Sequence, residues 1–146
     1  MIPAFIDIGA PWKVLPPGIH NASMQEIQLR FAITEHRQRL FRGFRDGVTA
    51  LCLAGCRKIY LDGSYITEKD IPNDYDACWD LSGVDAKKLD PIFLDFSNRR
   101  KRQKERFCGE FFPASLRMNE GKPFSEFFQT DRHTGKSKGI ISVELL

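Results

Sequence analysis

The chain is poor in the residues that build transition-metal sites. Its four cysteines (Cys52, Cys56, Cys78 and Cys108) include no C-x-x-C pair, and its three histidines (His20, His36 and His133) lie far apart. Zinc ligation calls for close cysteine pairs or a His-x3–5-His partner, so a structural zinc site is excluded and the cysteines read as packing residues. No apolar run reaches the length of a transmembrane helix. The opening MIPAFIDIGAPWKVLPPG has no basic region and too many prolines for a signal segment. A cytoplasmic chain with reduced thiols and no membrane partner is expected. No internal repeat or low-complexity linker occurs. The lysines of TDRHTGKSKG do not make a P-loop, because the glycine spacing and the following Ser/Thr are wrong.

What is present fits one domain over residues 1–146, with residues 1–22 as an extended arm that holds four of the eight prolines. Twelve phenylalanines point to an aromatic core. The net charge of +3 decides little, but its distribution is uneven. Eight acids and three lysines lie between Ile66 and Asp95, and then six cations crowd into positions 99–106. Such a pair of blocks suits a site for cations and phosphates, and equally suits two solvated faces.

Ser23 and Glu26 fit a capping box ahead of a first helix. Thr34 fits as cap of a second, where Leu40, Phe41, Phe44, Val48, Leu51 and Cys52 recur at helical spacing, with Arg37, Arg39, Arg42 and Arg45 mostly off that stripe. Gly55 stops it. KIYLDGS and DYDACWDL read as strands, FCGEFFPA as a third, and KGIISVELL as the last. Helices are expected over Ala86 to Phe96, with Pro91 best placed near a start, through the basic run NRRKRQKER, and over KPFSEFFQ. The sum is an α/β (α+β) domain with a small, mixed, twisted sheet flanked by helices.

Between the first two strands lies LDGSYITEKDIPNDYD. On a strand of period two, Asp74 and Asp76 point to one side and Tyr75 to the other. Two such carboxylates offer the hard oxygens that magnesium requires. Gly63 lets the backbone approach a phosphate with no Cβ in the way, and Ser64 adds a hydroxyl and the amides that follow it. Triphosphate chemistry needs this combination, since close to four negative charges must be quenched before an oxygen can attack the α-phosphate.

The constellation resembles the nucleotidyltransferase superfamily that includes DNA polymerase beta. It is most similar to the minimal nucleotidyltransferases of bacterial toxin–antitoxin loci, whose pattern is Gly-Ser, a spacer of about ten residues, then Asp-x-Asp. Here the spacer, Tyr65 to Asn73, has nine. Along LPPGIH, LAGCRKIYLDGSYIT, PNDYD, FFPAS and EFFQTDRHTGKSKGIISVEL the chain also resembles a bacterial nucleotidyltransferase-like family associated with toxin–antitoxin or defence loci. The resemblance implies a nucleotidyltransferase-like fold. It implies transfer of NMP, foremost AMP, from a nucleoside triphosphate to a protein or tRNA acceptor, with Mg²⁺ or Mn²⁺ at Asp74 and Asp76. It also implies a third carboxylate on a neighbouring strand, for which Glu110 is the first candidate and Asp95 the second.

Thr67 and Lys69 stand close enough after the Gly-Ser turn to reach a γ-phosphate, although a loop lysine is usually solvated. If the basic run is helical, Arg99, Arg102 and Arg106 share a face, and Arg102 is the candidate to touch phosphate or an RNA or protein acceptor; a solvated helix is the competing reading. A nucleotidyltransferase-fold protein with weak or no catalysis, acting on a cognate toxin or antitoxin by contact, stays open as the alternative function.

Overall fold

The computed structural model describes residues 1–114 and 129–145. Strand β1 (Gly18–Asn21) leads into helix α1 (Met24–Phe31), then helix α2 (Glu35–Leu53), strand β2 (Lys58–Asp62), a 3-10 turn (Ser64–Ile66) and strand β3 (Asp76–Trp79). A second 3-10 turn (Pro91–Leu94) precedes helix α3 (Ser97–Phe107), strand β4 (Glu110–Pro113) and strand β5 (Gly139–Glu144). The five strands form one mixed sheet in the order β1-β5-β2-β3-β4. β2 pairs antiparallel with β3 and β5, whereas β1–β5 and β3–β4 are parallel.

The helix ends follow their caps. Ser23 accepts from the Glu26 amide while Glu26 accepts from the Ser23 amide, which satisfies two donors of the first turn of α1 reciprocally. The Thr34 side chain accepts from the Arg37 amide at the start of α2, and Gly55, at φ +98°, stands just past its end.

Period-two alternation divides the sheet into two unlike faces. Ile59, Leu61, Ala77, Trp79, Phe111, Ile141 and Val143 join Leu40, Phe44 and Leu51 of α2 in the main core. Burial of each such side chain contributes roughly 2 kcal/mol. Tyr75 and Phe111 pack edge to face at 5.7 Å, and Phe44 meets Tyr75 at 5.3 Å. Gly43 and Gly47 let α2 approach: a Cβ at Gly43 would lie 1.9 Å from the Phe107 carbonyl oxygen, and one at Gly47 2.3 Å from the Phe111 ring. The opposite face carries a small cluster of Cys78 and Phe112, flanked by Tyr60 and Ala114. Two residues along each strand from Tyr60, Cys78 and Phe112 come Asp62, Asp76 and Glu110. The acids therefore lie at one end of the face that α2 does not cover.

Two expectations need correction. Residues 86–96 are not a helix, and only the single 3-10 turn from Pro91 forms. Asp85, Asp90 and Asp95 accept hydrogen bonds from the amides of Lys87, Ile92 and Ser97, so each carboxylate diverts the backbone into a local turn. The basic run is helical, but Asn98, Arg99 and Arg100 stand in left-handed backbone within it, at φ 50°, 55° and 60°. Arg99 consequently shares no regular face with Arg102 and Arg106. Arg37, off the apolar stripe of α2, is nevertheless only 3% exposed. The expected helix over KPFSEFFQ falls almost wholly outside the described residues.

Candidate functional site

β2 and β3 bring the two ends of the central motif together. Asp62, the last residue of β2, is the cross-strand partner of Asp76, the first of β3, and Asp76 is in register with Glu110 of β4. Asp74 lies just ahead of β3 and lines the same cleft. Tyr75 turns the other way, fully buried, and its hydroxyl donates to the Phe107 carbonyl. The Asp-x-Asp pair thus faces one side, as its spacing requires.

Gly63 makes the turn possible. Its φ is +88°, and a Cβ there would lie 2.8 Å from Asp76 Oδ2. Any side chain at this position would meet the central carboxylate, so glycine is needed on two counts. The loop that follows is held from inside. The buried Arg37 guanidinium donates to the carbonyls of Tyr65, Thr67 and Lys69, and Tyr65 returns a hydrogen bond to the Arg37 carbonyl. Thr67 donates to the Ser64 carbonyl and accepts from the Lys69 amide, which shapes the turn further. The arm is tied down here as well, by the Glu68 amide donating to the Lys13 carbonyl.

The cleft so formed has a volume of about 720 Å³. Asp62, Gly63, Ser64, Thr67, Lys69, Asn73, Asp74 and Asp76 form one wall, and Arg100, Glu110 and Phe112 a second. Trp12 from the arm and the 130–138 hairpin close the rest. That hairpin is turn-rich as expected: Asp131 accepts from the amide and hydroxyl of Thr134, and Thr130 bridges Ser137. His133 meets the Trp12 ring edge to face at 5.5 Å, and Lys69 Nζ lies 4.8 Å from the centre of the same ring.

Crowded acids dominate the electrostatics. Burial, followed by the charges of Asp62, Asp74 and Glu110, raises the Asp76 pKa well above the carboxylate range, and Asp76 shares a hydrogen bond with Glu110. Burial and the Glu110 charge raise Asp74. Asp62 is 2% exposed, and burial lifts it to about 6 against the pull of Lys138. Among the described residues no donor reaches its carboxylate with good hydrogen-bond geometry; the Gly63 amide and Lys138 Nζ, the latter 3.5 Å from Oδ1, offset its burial only in part. Glu110 is partly compensated by Lys104 Nζ at 2.9 Å.

Of the residues singled out from the sequence, Gly63, Ser64, Thr67, Lys69, Asp74, Asp76 and Glu110 line this one cleft. Asp95 and Arg102 do not. They pair with one another at 3.5 Å along a separate groove of about 820 Å³, where Arg106 also binds Asp90 at 2.6 Å. The charges of that groove are spent on each other. Asp62, Lys138 and Arg100 join the cleft without a sequence signal that singled them out. The alternation of β2 places Asp62 on the face of Tyr60, but nothing local reveals that Lys138 or Asp76 lies opposite.

Residues 10–144 match DUF6932, a family of unknown function. The chain belongs to this family. No curated protein matches it, and no solved structure does. The DUF6932 match takes in the whole cleft, from Trp12 to Lys138. Among the described residues, no three acidic, histidine or cysteine side chains are gathered as a ready-made metal cage. Also among the described residues, no helix is long and apolar enough to cross a membrane.

Proposed function

We propose that this DUF6932 chain is a metal-dependent nucleotidyltransferase that moves NMP, with AMP as the first candidate, from a nucleoside triphosphate to a hydroxyl of a protein or tRNA acceptor. The observation that carries the reading is the position of Asp76. Three other carboxylates surround it and the Gly63 turn abuts it, in a cleft wide enough for a nucleotide. A carboxyl pressed by its neighbours to keep a proton is one that a divalent cation can relieve.

The donor chemistry fits magnesium, which is commonly held by one or two carboxylates with phosphate and water oxygens completing the shell. Asp74 and Asp76 would hold Mg²⁺ or Mn²⁺, with Glu110 completing the acid set. Once bound, the ion neutralises triphosphate charge and lowers the pKa of the attacking group. Gly63 sets the Asp76 carboxylate against the loop backbone, Thr67 holds that loop in shape from inside, and Ser64 and Lys69 add a hydroxyl and an ammonium along the same wall. The acceptor oxygen forms its bond to the α-phosphorus as the bond to pyrophosphate breaks, so the products are NMP-acceptor and pyrophosphate. The resemblance to toxin–antitoxin nucleotidyltransferases supports a role in such a system or in phage defence. The test is incubation with labelled ATP, CTP, GTP and UTP, Mg²⁺ and a cell extract. Label on a protein or RNA band, lost in Asp76→Asn, is expected; no label from any nucleotide refutes transfer.

The Lys104–Glu110 ion pair, which occupies the third carboxylate, favours a second reading, in which the cleft is catalytically weak and the chain acts on a cognate toxin or antitoxin by contact. An Asp74→Asn/Asp76→Asn double variant that still neutralises its partner would select this reading.

A further inference from the structure

We infer that Arg100 is the residue that grips the terminal phosphoryl oxygens of a polyphosphate in the acidic cleft. The identity of that polyphosphate as a nucleoside triphosphate rests on the reading above; the anion subsite itself does not.

The basic run at 99–106 looks like a uniform positive patch, but its cations are not equivalent. Lys101 pairs with Glu105, Arg102 with Asp95, Lys104 with Glu110 and Arg106 with Asp90. Arg99 and Arg100 make no ion pair among the described residues, and of the whole run Arg100 is the cation that lines the cleft with its four carboxylates. Its guanidinium lies 4.0 Å from the centre of the Phe112 ring and 5.1 Å from that of Phe96, and its Nε is buried with no hydrogen-bond partner. Burial lowers its pKa, and Glu110 and Asp76 oppose this.

A guanidinium seated over one aromatic ring and near a second has few orientations left, so its donors are largely oriented beforehand. An unused, oriented fork is the geometry that planar bidentate recognition of phosphate needs. The backbone agrees. Asn98, Arg99 and Arg100 occupy successive left-handed conformations that non-glycine residues avoid, and this turn carries Arg100 to the cleft while Arg102 lies in the neighbouring groove. The acids and Arg100 are complementary: the carboxylates take the cations that accompany a polyphosphate, and Arg100 takes its oxygens.

The experiment is calorimetric titration of the full chain with pyrophosphate, with and without Mg²⁺, for the wild type, Arg100→Gln, Arg100→Lys and Arg102→Gln. Loss of a charge-assisted fork should weaken magnesium-pyrophosphate binding about tenfold to a hundredfold in Arg100→Gln. Arg100→Lys should fall between, because an ammonium keeps the charge without the fork. Arg102→Gln should stay within about twofold of wild type, as expected for an exposed pair. Unchanged melting temperatures establish that the variants are folded. If Arg100→Gln will not fold, Phe112→Leu, which removes the stacking ring, should still weaken binding. Equal binding by wild type and Arg100→Gln overturns the inference alone. Magnesium-pyrophosphate binding that depends on Arg100, with no nucleotide transfer in the labelling assay, supports the subsite and refutes only the transferase reading. No pyrophosphate binding by the wild type overturns both, as does binding of single-stranded RNA that needs Arg100 where pyrophosphate does not bind.

Discussion

Replacing Asp62 by Asn should change the pH dependence of stability in a way that can be worked out beforehand. In the folded chain the Asp62 pKa rises from 3.8 to about 6, first because of burial. Between those pH values the folded state holds a proton that the unfolded chain has released. Stability therefore falls as pH rises through this window, and below about pH 4 the residue contributes no penalty. The rise corresponds to about 3 kcal/mol, nearly all of it expressed by pH 8. Asparagine has the shape of the protonated acid and cannot ionise. Relative to wild type, Asp62→Asn should gain about 2–3 kcal/mol on going from pH 4 to pH 8, whatever its offset at pH 4. Asp76, relieved of one neighbouring charge, adds in the same direction. Urea titrations at several pH values measure the difference. Parallel stability curves for the two proteins, or a wild type that gains on the variant as pH rises, would refute the reasoning. A buried, ionisable carboxylate that weakens the fold at neutral pH even with Lys138 3.5 Å away marks a place where local stability and the rest of the sequence disagree, and such places are commonly functional.

Further outcomes follow from the same geometry. Arg37→Met should destabilise the chain by about 3–5 kcal/mol by chemical denaturation, since it strands several buried carbonyls around the Gly-Ser loop. Gly63→Ala should cost about 1–3 kcal/mol, from a positive φ and a clash with Asp76, and should abolish divalent-cation binding in a folded protein. Millimolar Mg²⁺ should raise the melting temperature at pH 8 more than at pH 5, because protons and the cation compete for Asp74 and Asp76, both of whose pKa values are raised; an equal shift at both pH values would contradict this.

The parts legible in the sequence were those governed by local rules. The caps at Ser23 and Thr34 and the stop at Gly55 depend on a few neighbouring residues, and they are where the pattern puts them. The alternation around Asp76 settled which side Tyr75 takes. Residues 86–96 do not form the expected helix because Asp85, Asp90 and Asp95 capture amides that a helix would need. The burial of Arg37 has no local signal, because the loop carbonyls that receive it come from residues about 30 positions away. The sites of Asp62, Lys138 and Arg100 are tertiary facts. Asp62 and Lys138 meet across strands far apart in the chain, and three left-handed residues with no glycine among them leave no compositional trace. Asp95 and Arg102 failed as cleft residues for the same reason, since their pairing with each other is set by how the 3-10 turn packs on α3.

The most direct test of the central claim is a manganese titration by electron paramagnetic resonance, with and without a non-hydrolysable ATP analogue, on the wild type and on Asp74→Asn/Asp76→Asn. The account predicts Mn²⁺ binding that the analogue strengthens, because phosphate oxygens complete the shell, and that the double variant loses while remaining folded. Mn²⁺ binding identical in the two proteins, or none in the wild type with the analogue present, would contradict it.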